Sequence, residues 1–444
     1  MTFSITHKVV NSERRIKKHI HGRAQTFEIE SPPGFLELCE RVCSKLIAGM
    51  PAANTSTIGI KTKNGRLQIE SAPFELCHEL LLLGLPFADV KVLVFRGRCS
   101  SDEKLQAILE AIDWEMWIPS DRNITWDLRV DSSRSHLYNE SRIKEKVQKL
   151  LSAKYTAHNT FSELQLSLDF RLERESLEVL LSLGGRNYWQ RGHKKTLRHA
   201  APLREDLAAC LVHRLSELQS EWTEVRSPSL VWNPFCGTGT LLHESALFLA
   251  GCGRALGDTN NWPYKQLPFF KAASFQHREK KIRTSLRDRD AKSESVFFLG
   301  EDKVSELVSA TLNGFKIMSE EFPLDHKAEV LCHDSTLHSE SDSQVAVHSN
   351  VWLLANPPFG MRLSNASQGG TEKVYEEFAK RIRSVGKTML DSNRQLNGVV
   401  LCASEENWLT LKKILGGWRQ RCEHFTLGGL DIRAFYFSNA RPRK

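Results

Sequence analysis

Between Ser229 and Gly251 the chain reads SLVWNPFCGTGTLLHESALFLAG, a short apolar strand, a glycine-rich turn and then apolar residues at helical spacing. A strand that feeds a helix through so short a turn is the opening βα unit of a nucleotide-binding parallel sheet, and this constrains the fold more than any other feature. Gly237 and Gly239 would let the backbone come close to a ligand, and a helix starting near Thr240 offers it free N–H groups. The turn lacks both the G-x-G-x-x-G spacing for a pyrophosphate and the Lys-Ser/Thr ending of a P-loop. The ligand expected is therefore a smaller adenosyl compound.

Acidic residues follow at the ends of two further apolar strands. Val296 to Leu299 runs into Gly300, Glu301 and Asp302, where an acid is placed for ribose hydroxyls, and Glu301 and Asp302 compete for that role. The strand in AEVLCHDST ends at Asp334, which could accept from the amino group of an adenine ring. Taken singly, each acid is more simply a helix cap or a solvated loop residue. In series they fit one ligand.

A third apolar run, Val351 to Ala355, ends in Asn356, Pro357, Pro358, Phe359 and Gly360. Two prolines with fixed φ hold neighbouring carbonyl groups rigidly at a strand end. An exocyclic –NH2 group has two N–H donors. Asn356 Oδ1 and the Pro357 carbonyl could accept both while the nitrogen lone pair faces an electrophile and Phe359 stacks on the base.

With these motifs in view, the chain from about Pro33 onward resembles the THUMP-containing RNA methyltransferases, most of all the group forming N2-methylguanine in large-subunit ribosomal RNA. The family's cofactor loop matches Asn233 to Thr240 and its Asn-Pro-Pro-Tyr/Phe-Gly motif matches Asn356 to Gly360. Its basic stretch and entry helix resemble Arg191 to Val212, and its Trp-containing insertion resembles Cys252 to Phe270.

The resemblance implies an α/β chain, a Rossmann-fold class I methyltransferase domain preceded by α+β ferredoxin-like and THUMP-like modules. It further implies S-adenosylmethionine held by Asn233, Pro234, Phe235, Cys236, Gly237, Thr238, Gly239 and Thr240, with ribose near Asp302, adenine near Asp334 and Pro202 and Leu203 over the methionine end. Asn356, Pro357, Pro358 and Phe359 would be catalytic, with Asn356 also at the cofactor. Asn233 departs from the family's usual Asp, which weakens the contact to the cofactor's ammonium group from a charge-assisted hydrogen bond to a neutral one.

Ahead of this half, short strands and helices alternate: helices near 34–48, 73–83, 101–112 and 141–154, strands near 66–69, 90–96 and 124–130, and a strand pair in SLDFRLERESLEVLLSLGG. The expected organisation is a basic extension over 1–26, ferredoxin-like plus THUMP-like modules over 27–184, a basic linker over 185–203 and the methyltransferase domain over 204–444. The net charge of +8 suits a polyanionic partner. Within the linker Arg191, His193, Lys194, Lys195 and Arg198 are the candidate RNA contacts, with Tyr188 and Trp189 interleaved for stacking.

The ten cysteines form no CxxC pairs, which favours core thiols in a reducing compartment over metal ligands. Apolar runs are too interrupted for a membrane span. The cytoplasm is expected, and the basic N-terminus keeps a mitochondrial targeting segment open. The leading function is guanine-N2 methylation of ribosomal RNA, with transfer RNA second. An adenine or cytosine amino-methyltransferase acting on RNA or DNA and a non-catalytic RNA-binding ribosome-assembly protein are the alternatives. Oligomeric state is not readable from the sequence.

Overall fold

The computed structural model describes residues 12–51, 57–155, 163–191, 203–224, 227–251, 253, 261–290, 296–321, 327–338, 340–358 and 369–440. They divide into two units, one formed by 1–31, 39–189 and 258–280, the other by 32–38, 190–257 and 281–444.

In the first unit β1 (Gln25–Glu30), α1 (Leu36–Ala48, entering from the second unit), β2 (Gly59–Lys63), β3 (Arg66–Ala72), α2 (Leu76–Leu83) and β4 (Asp89–Arg98) are followed by α3 (Asp102–Ala111), β5 (Asn123–Ser133), α4 (Glu140–Lys154), β6 (Glu163–Glu173) and β7 (Ser176–Ser182). The strands make one sheet in the order β2-β3-β1-β4-β7-β6-β5. Among the described residues of this sheet only β5 and β6 pair in parallel, which requires the crossover that α4 supplies; β6 and β7 close a tight antiparallel hairpin.

Strand alternation sorts the side chains. Phe27, Ile29, Leu67, Ile69, Val90 and Val92 are all buried, while the residues between them are charged or polar. On that polar face Lys91 Nζ lies 2.6 Å from both Glu30 and Asp169, and Arg171 pairs with Asp169 at 2.8 Å and with Glu28.

Residues 258–280 follow the Gly-turn helix in sequence yet belong to the first unit. Tyr264 is fully buried there, with its hydroxyl 2.7 Å from His78 Nε2 and its N–H donated to the Leu183 carbonyl at 3.1 Å. Phe269 meets Phe74 edge-on at 5.4 Å. Burial, ahead of nearby charges, lowers the His78 pKa to about 4, so the imidazole is neutral. The expected 1–26 extension differs too: Ile20 is fully buried and Gln25 opens a strand inside the sheet. Its residues 1–11 lie outside the described residues.

The second unit begins with α5 (Glu205–Trp222), β8 (Leu230–Pro234) and α6 (Thr240–Ala250); α7 (Ala272–Asp290) returns the chain to it. Then come β9 (Phe297–Asp302), α8 (Ser305–Glu321), β10 (Lys327–Cys332), α9 (Glu340–Ala346), β11 (Asn350–Ala355), α10 (Gly369–Asp391), β12 (Gln395–Cys402), α11 (Glu405–Ile414), β13 (Arg419–Leu427) and β14 (Leu430–Ser438). The sheet order is β10-β9-β8-β11-β12-β14-β13, parallel from β10 to β12, with β14 and β13 antiparallel at one edge. Every residue of β8 and β11 is buried, as expected of central strands with both faces covered. Trp232, Leu353, Phe378 and Ile382 share the core on one side of them. The strand order reverses between β8 and β11, and in such sheets ligands bind beyond the carboxyl ends of the strands at that reversal.

Candidate active site at the switch point

The Gly-rich turn leaves β8 at the carboxyl edge and is fastened to β9. Phe235 and Cys236 both donate their N–H groups to the Glu301 carbonyl, at 3.0 and 2.8 Å. Gly237 N–H donates to Asp302 Oδ2 at 2.9 Å, and Thr311 Oγ1 donates to the Gly237 carbonyl at 2.9 Å. Phe235 sits at φ +108°, a strained value for a residue with a side chain, while its ring packs edge-on to Phe378 at 4.9 Å.

The two glycines have different tasks. Gly239, at φ +78°, has His243 Cε1 and Thr311 Cγ2 only 2.7 Å from where a Cβ would lie. Gly237, at φ +55°, faces open space. One keeps the turn packed against α6 and α8; the other leaves its backbone open to a ligand.

Glu301 and Asp302, alternatives in the sequence, are separated by their neighbours. The Glu301 carboxylate is fully buried and accepts from Arg381 at 2.7 and 2.9 Å, from Ser341 Oγ at 2.6 Å and from Trp232 Nε1 at 3.1 Å. Burial pushes its pKa up, but the hydrogen bonds and charge of Arg381 outweigh this and hold it below the usual range. Asp302, by contrast, lies at the turn, with Oδ1 accepting from Val304 N–H at 3.0 Å. Asp334 is exposed just beyond β10, and Thr336 donates to its Oδ1 from both N–H and hydroxyl, which lowers its pKa.

Asn233 is 1% exposed, and neither its Oδ1 nor its Nδ2 has a hydrogen-bond partner among the described residues. Asn356 Oδ1 is buried and equally without a partner there. These two amides end adjacent strands, since Leu353 is in register with Trp232, and an orphaned buried amide is costly unless a ligand answers it. Pro357 is buried and Pro358 exposed; Phe359 and Gly360 lie outside the described residues. Pro234, Thr238 and Thr240 are buried around the turn. Burial pushes the Cys236 thiol up to about 12, so it is no nucleophile. Leu203 is buried just before α5, and Pro202 lies outside the described residues.

The basic linker is corrected at its first member. Arg191 is 4% exposed, its guanidinium 3.0 Å from the buried Glu244 and its N–H donated to Glu205 at 3.1 Å, so it is a structural ion pair and not a phosphate contact. His193, Lys194, Lys195 and Arg198 lie outside the described residues. The sequence reading also missed Arg381. It lies on the apolar stripe of α10 with Phe378 and Ile382, and a cation on such a stripe signals a buried acid opposite it.

Residues 192–406 match the family profile described as RMKL-like, methyltransferase domain. Among curated relatives, the ribosomal RNA large subunit methyltransferase K/L of Aliivibrio fischeri (strain ATCC 700601 / ES114) is 27% identical over 284 residues, covering 62% of this chain and 37% of that protein. Its namesake from Shewanella sp. (strain W3-18-1) is 24% identical over 306 residues, covering 67% and 40%. The chain thus spans well under half the length of these relatives.

Among solved structures, SMU.472 complexed with SAH has a TM-score of 0.69 at 16% identity, covering 95% of this chain and 99% of that one. TrmN from Thermus thermophilus has a TM-score of 0.58 at 17% identity, covering 93% and 99%. At these identities the likeness is one of fold. Among the described residues no helix is long and apolar enough to cross a membrane. Over residues 192–406 the chain is thus similar to the RMKL-like methyltransferase domain, and in sequence it is similar to the ribosomal RNA large subunit methyltransferases K/L.

Proposed function

We propose that the protein transfers a methyl group from S-adenosylmethionine to an exocyclic amine of a base in structured RNA, with N2 of guanine in ribosomal RNA as the target. The observation that carries this reading is the orphaned Asn356 Oδ1 at the switch point, one strand away from the equally orphaned Asn233. The cofactor, when bound, supplies an activated methyl on a sulfonium. The chain's own work is to hold and orient.

Gly237 opens the turn to the ligand, Asp302 can accept from ribose hydroxyls with its remaining lone pairs, Asp334 Oδ2 can accept from the adenine amine, and Asn233 Oδ1 can accept from the ammonium group. Asn356 Oδ1 accepts one N–H of the target amine. That acceptor is fixed before reaction begins, so it stabilises positive charge developing on the amine without reorganising.

The strand–helix–strand–strand–helix–strand run from β1 to β4, in the order β2-β3-β1-β4, supports reading the first module as ferredoxin-like. The β5-α4-β6-β7 part that follows is read as THUMP-like, and the first unit as the RNA-gripping half.

The test combines calorimetry with S-adenosylmethionine, radiolabel transfer to deproteinised large-subunit ribosomal RNA, and nucleoside analysis. Asn356→Ala is expected to lower kcat at least a hundredfold while changing cofactor affinity less than threefold. Equal loss of both would remove Asn356 from the chemistry. Label in N6-methyladenosine instead of N2-methylguanosine would move the reading to an adenine amine, and cofactor binding without transfer to any RNA would favour a non-catalytic role.

A further inference from the structure

One end of the first unit gathers cations around an exposed ring. Tyr138 is 80% exposed, in the connection between β5 and α4. Isolated exposed apolar residues are ordinary, so exposure alone carries nothing. Here, however, the ring sits on a braced segment. Ser132 Oγ donates to the Leu137 carbonyl, Leu137 N–H donates to Ser135 Oγ at 3.2 Å, and Asn139 Oδ1 accepts from Arg142 N–H at 3.0 Å to cap α4. The backbone that presents the ring therefore loses little freedom on binding.

Charges of both signs surround this segment, with Glu140 Oε1 accepting from Ser132 N–H at 2.9 Å. Ser133 pairs with Glu173 at the end of the β5–β6 ladder, and Arg174 N–H donates to the Ser133 carbonyl at 3.3 Å, so Arg134 and Arg174 emerge side by side. Both are exposed, and both take left-handed backbone, at φ +51° and +46°, where side-chain-bearing residues are strained. Neither forms an ion pair among the described residues. Glu175 answers Arg98 at 2.9 Å and His136 at 3.5 Å, tying the β6–β7 turn to the Tyr138 segment, and Asp102 takes Arg142 at 2.6 Å. Two cations without an ion-pair partner among the described residues therefore lie at the strand ends next to a braced segment that carries one exposed aromatic ring.

We infer that this end of the sheet is a single-stranded RNA platform, in which Tyr138 stacks on an unpaired base while Arg134 and Arg174 hold the adjoining phosphates. The inference rests on the RNA-substrate reading above and adds a site to it. A tyrosine ring stacks on any base, which suits a looped or terminal nucleotide more than a duplex whose bases are already stacked.

The experiment uses the full chain and three probes: fluorescein-labelled decaadenylate, a fully paired RNA hairpin closed by a tetraloop, and deproteinised large-subunit ribosomal RNA. Tyr138→Ala is expected to weaken decaadenylate binding about tenfold, Tyr138→Trp to retain it, and both to leave hairpin binding within twofold. Arg134→Gln with Arg174→Gln is expected to reduce the salt slope for decaadenylate by roughly 1.4, about 0.7 for each lost phosphate. Decaadenylate binding by Tyr138→Ala within twofold of wild type overturns the platform, as does an equal loss for the hairpin. A wild-type protein that binds none of the three RNAs overturns the RNA-substrate reading and this inference with it. Ribosomal RNA binding that ignores Tyr138 while decaadenylate binding also ignores it overturns this inference alone.

Discussion

Replacing Arg381 with methionine tests whether the turn that presents Gly237 is held from behind by a buried charge pair. Both Arg381 and Glu301 are 0% exposed at the side chain and 2.7 Å apart, out of reach of bulk solvent. Removing the cation strands the carboxylate, an outcome that costs about 3–5 kcal/mol in comparable buried pairs. The double replacement Arg381→Met with Glu301→Leu removes both charges of that pair but leaves Asp342, 2.7 Å from Arg381 in the native protein, without its cation, and should recover only part of that loss.

The pH dependence has a definite sign. In the native protein the Glu301 pKa is depressed below its ordinary 4.5, so its contribution is present above that value and lost as pH falls through the lower one. In Arg381→Met burial, the largest influence, is opposed only by the hydrogen bonds from Ser341 and Trp232, so the pKa rises and the penalty grows as pH rises above about 4.5. The deficit should therefore be smaller at pH 5 than at pH 8. Hydrogen exchange of peptides from β9 and α10 across a urea series reads it locally, which avoids assuming that both units unfold together. Because the Glu301 carbonyl also holds the Phe235 and Cys236 N–H groups, S-adenosylmethionine binding should weaken in the same variant. A deficit under about 1 kcal/mol, or one equal at both pH values, would refute the reasoning.

Two further outcomes follow from positions already described. Alanine at Gly237 should cost only the left-handed backbone term of about 1–2 kcal/mol while impairing cofactor binding, whereas alanine at Gly239 adds the contacts with His243 and Thr311 and should cost roughly 1–3 kcal/mol more; equal stabilities by the same exchange measurement would contradict this. Burial, ahead of neighbouring charges, raises the Asp89 pKa to about 7, so the folded first unit keeps that proton after the unfolded chain has lost it, and stability falls as pH rises from about 4 to 7. Asp89→Asn, which keeps the 2.9 Å acceptor for Ser182 Oγ, should flatten that window in urea midpoints taken at pH 4.5 and 7.5.

The features legible in the sequence are those whose information is local. The strand, glycine turn and helix from Leu230 to Ala250 and the β6–β7 hairpin declare themselves by periodicity and turn residues. Asn356 was visible because two prolines follow a buried run. What escaped depended on partners far away in the chain. Whether Glu301 or Asp302 faces the turn is decided by Arg381, and no pattern near Glu301 points there. Arg191 reads as one of a basic cluster until Glu244, on the Gly-turn helix, is seen beside it. β1, with its Gln, Thr, Phe, Glu, Ile and Glu, was short and followed a basic run, so its first residues were assigned to an extension.

The detour of residues 258–280 has a consequence for how the protein is made. A ribosome that has delivered Trp189 has released nearly all of the first unit, yet Tyr264, the partner of His78, is still to be synthesised, along with Phe269, which covers Phe74. At ordinary elongation rates that gap is roughly 5–20 s, during which the first unit stands with an uncovered aromatic hollow. A fragment ending at the apparent domain border would carry the same hollow permanently and should be poorly soluble. One that grafts 258–280 back by a flexible tether would be the smallest version of the first unit able to close its own core.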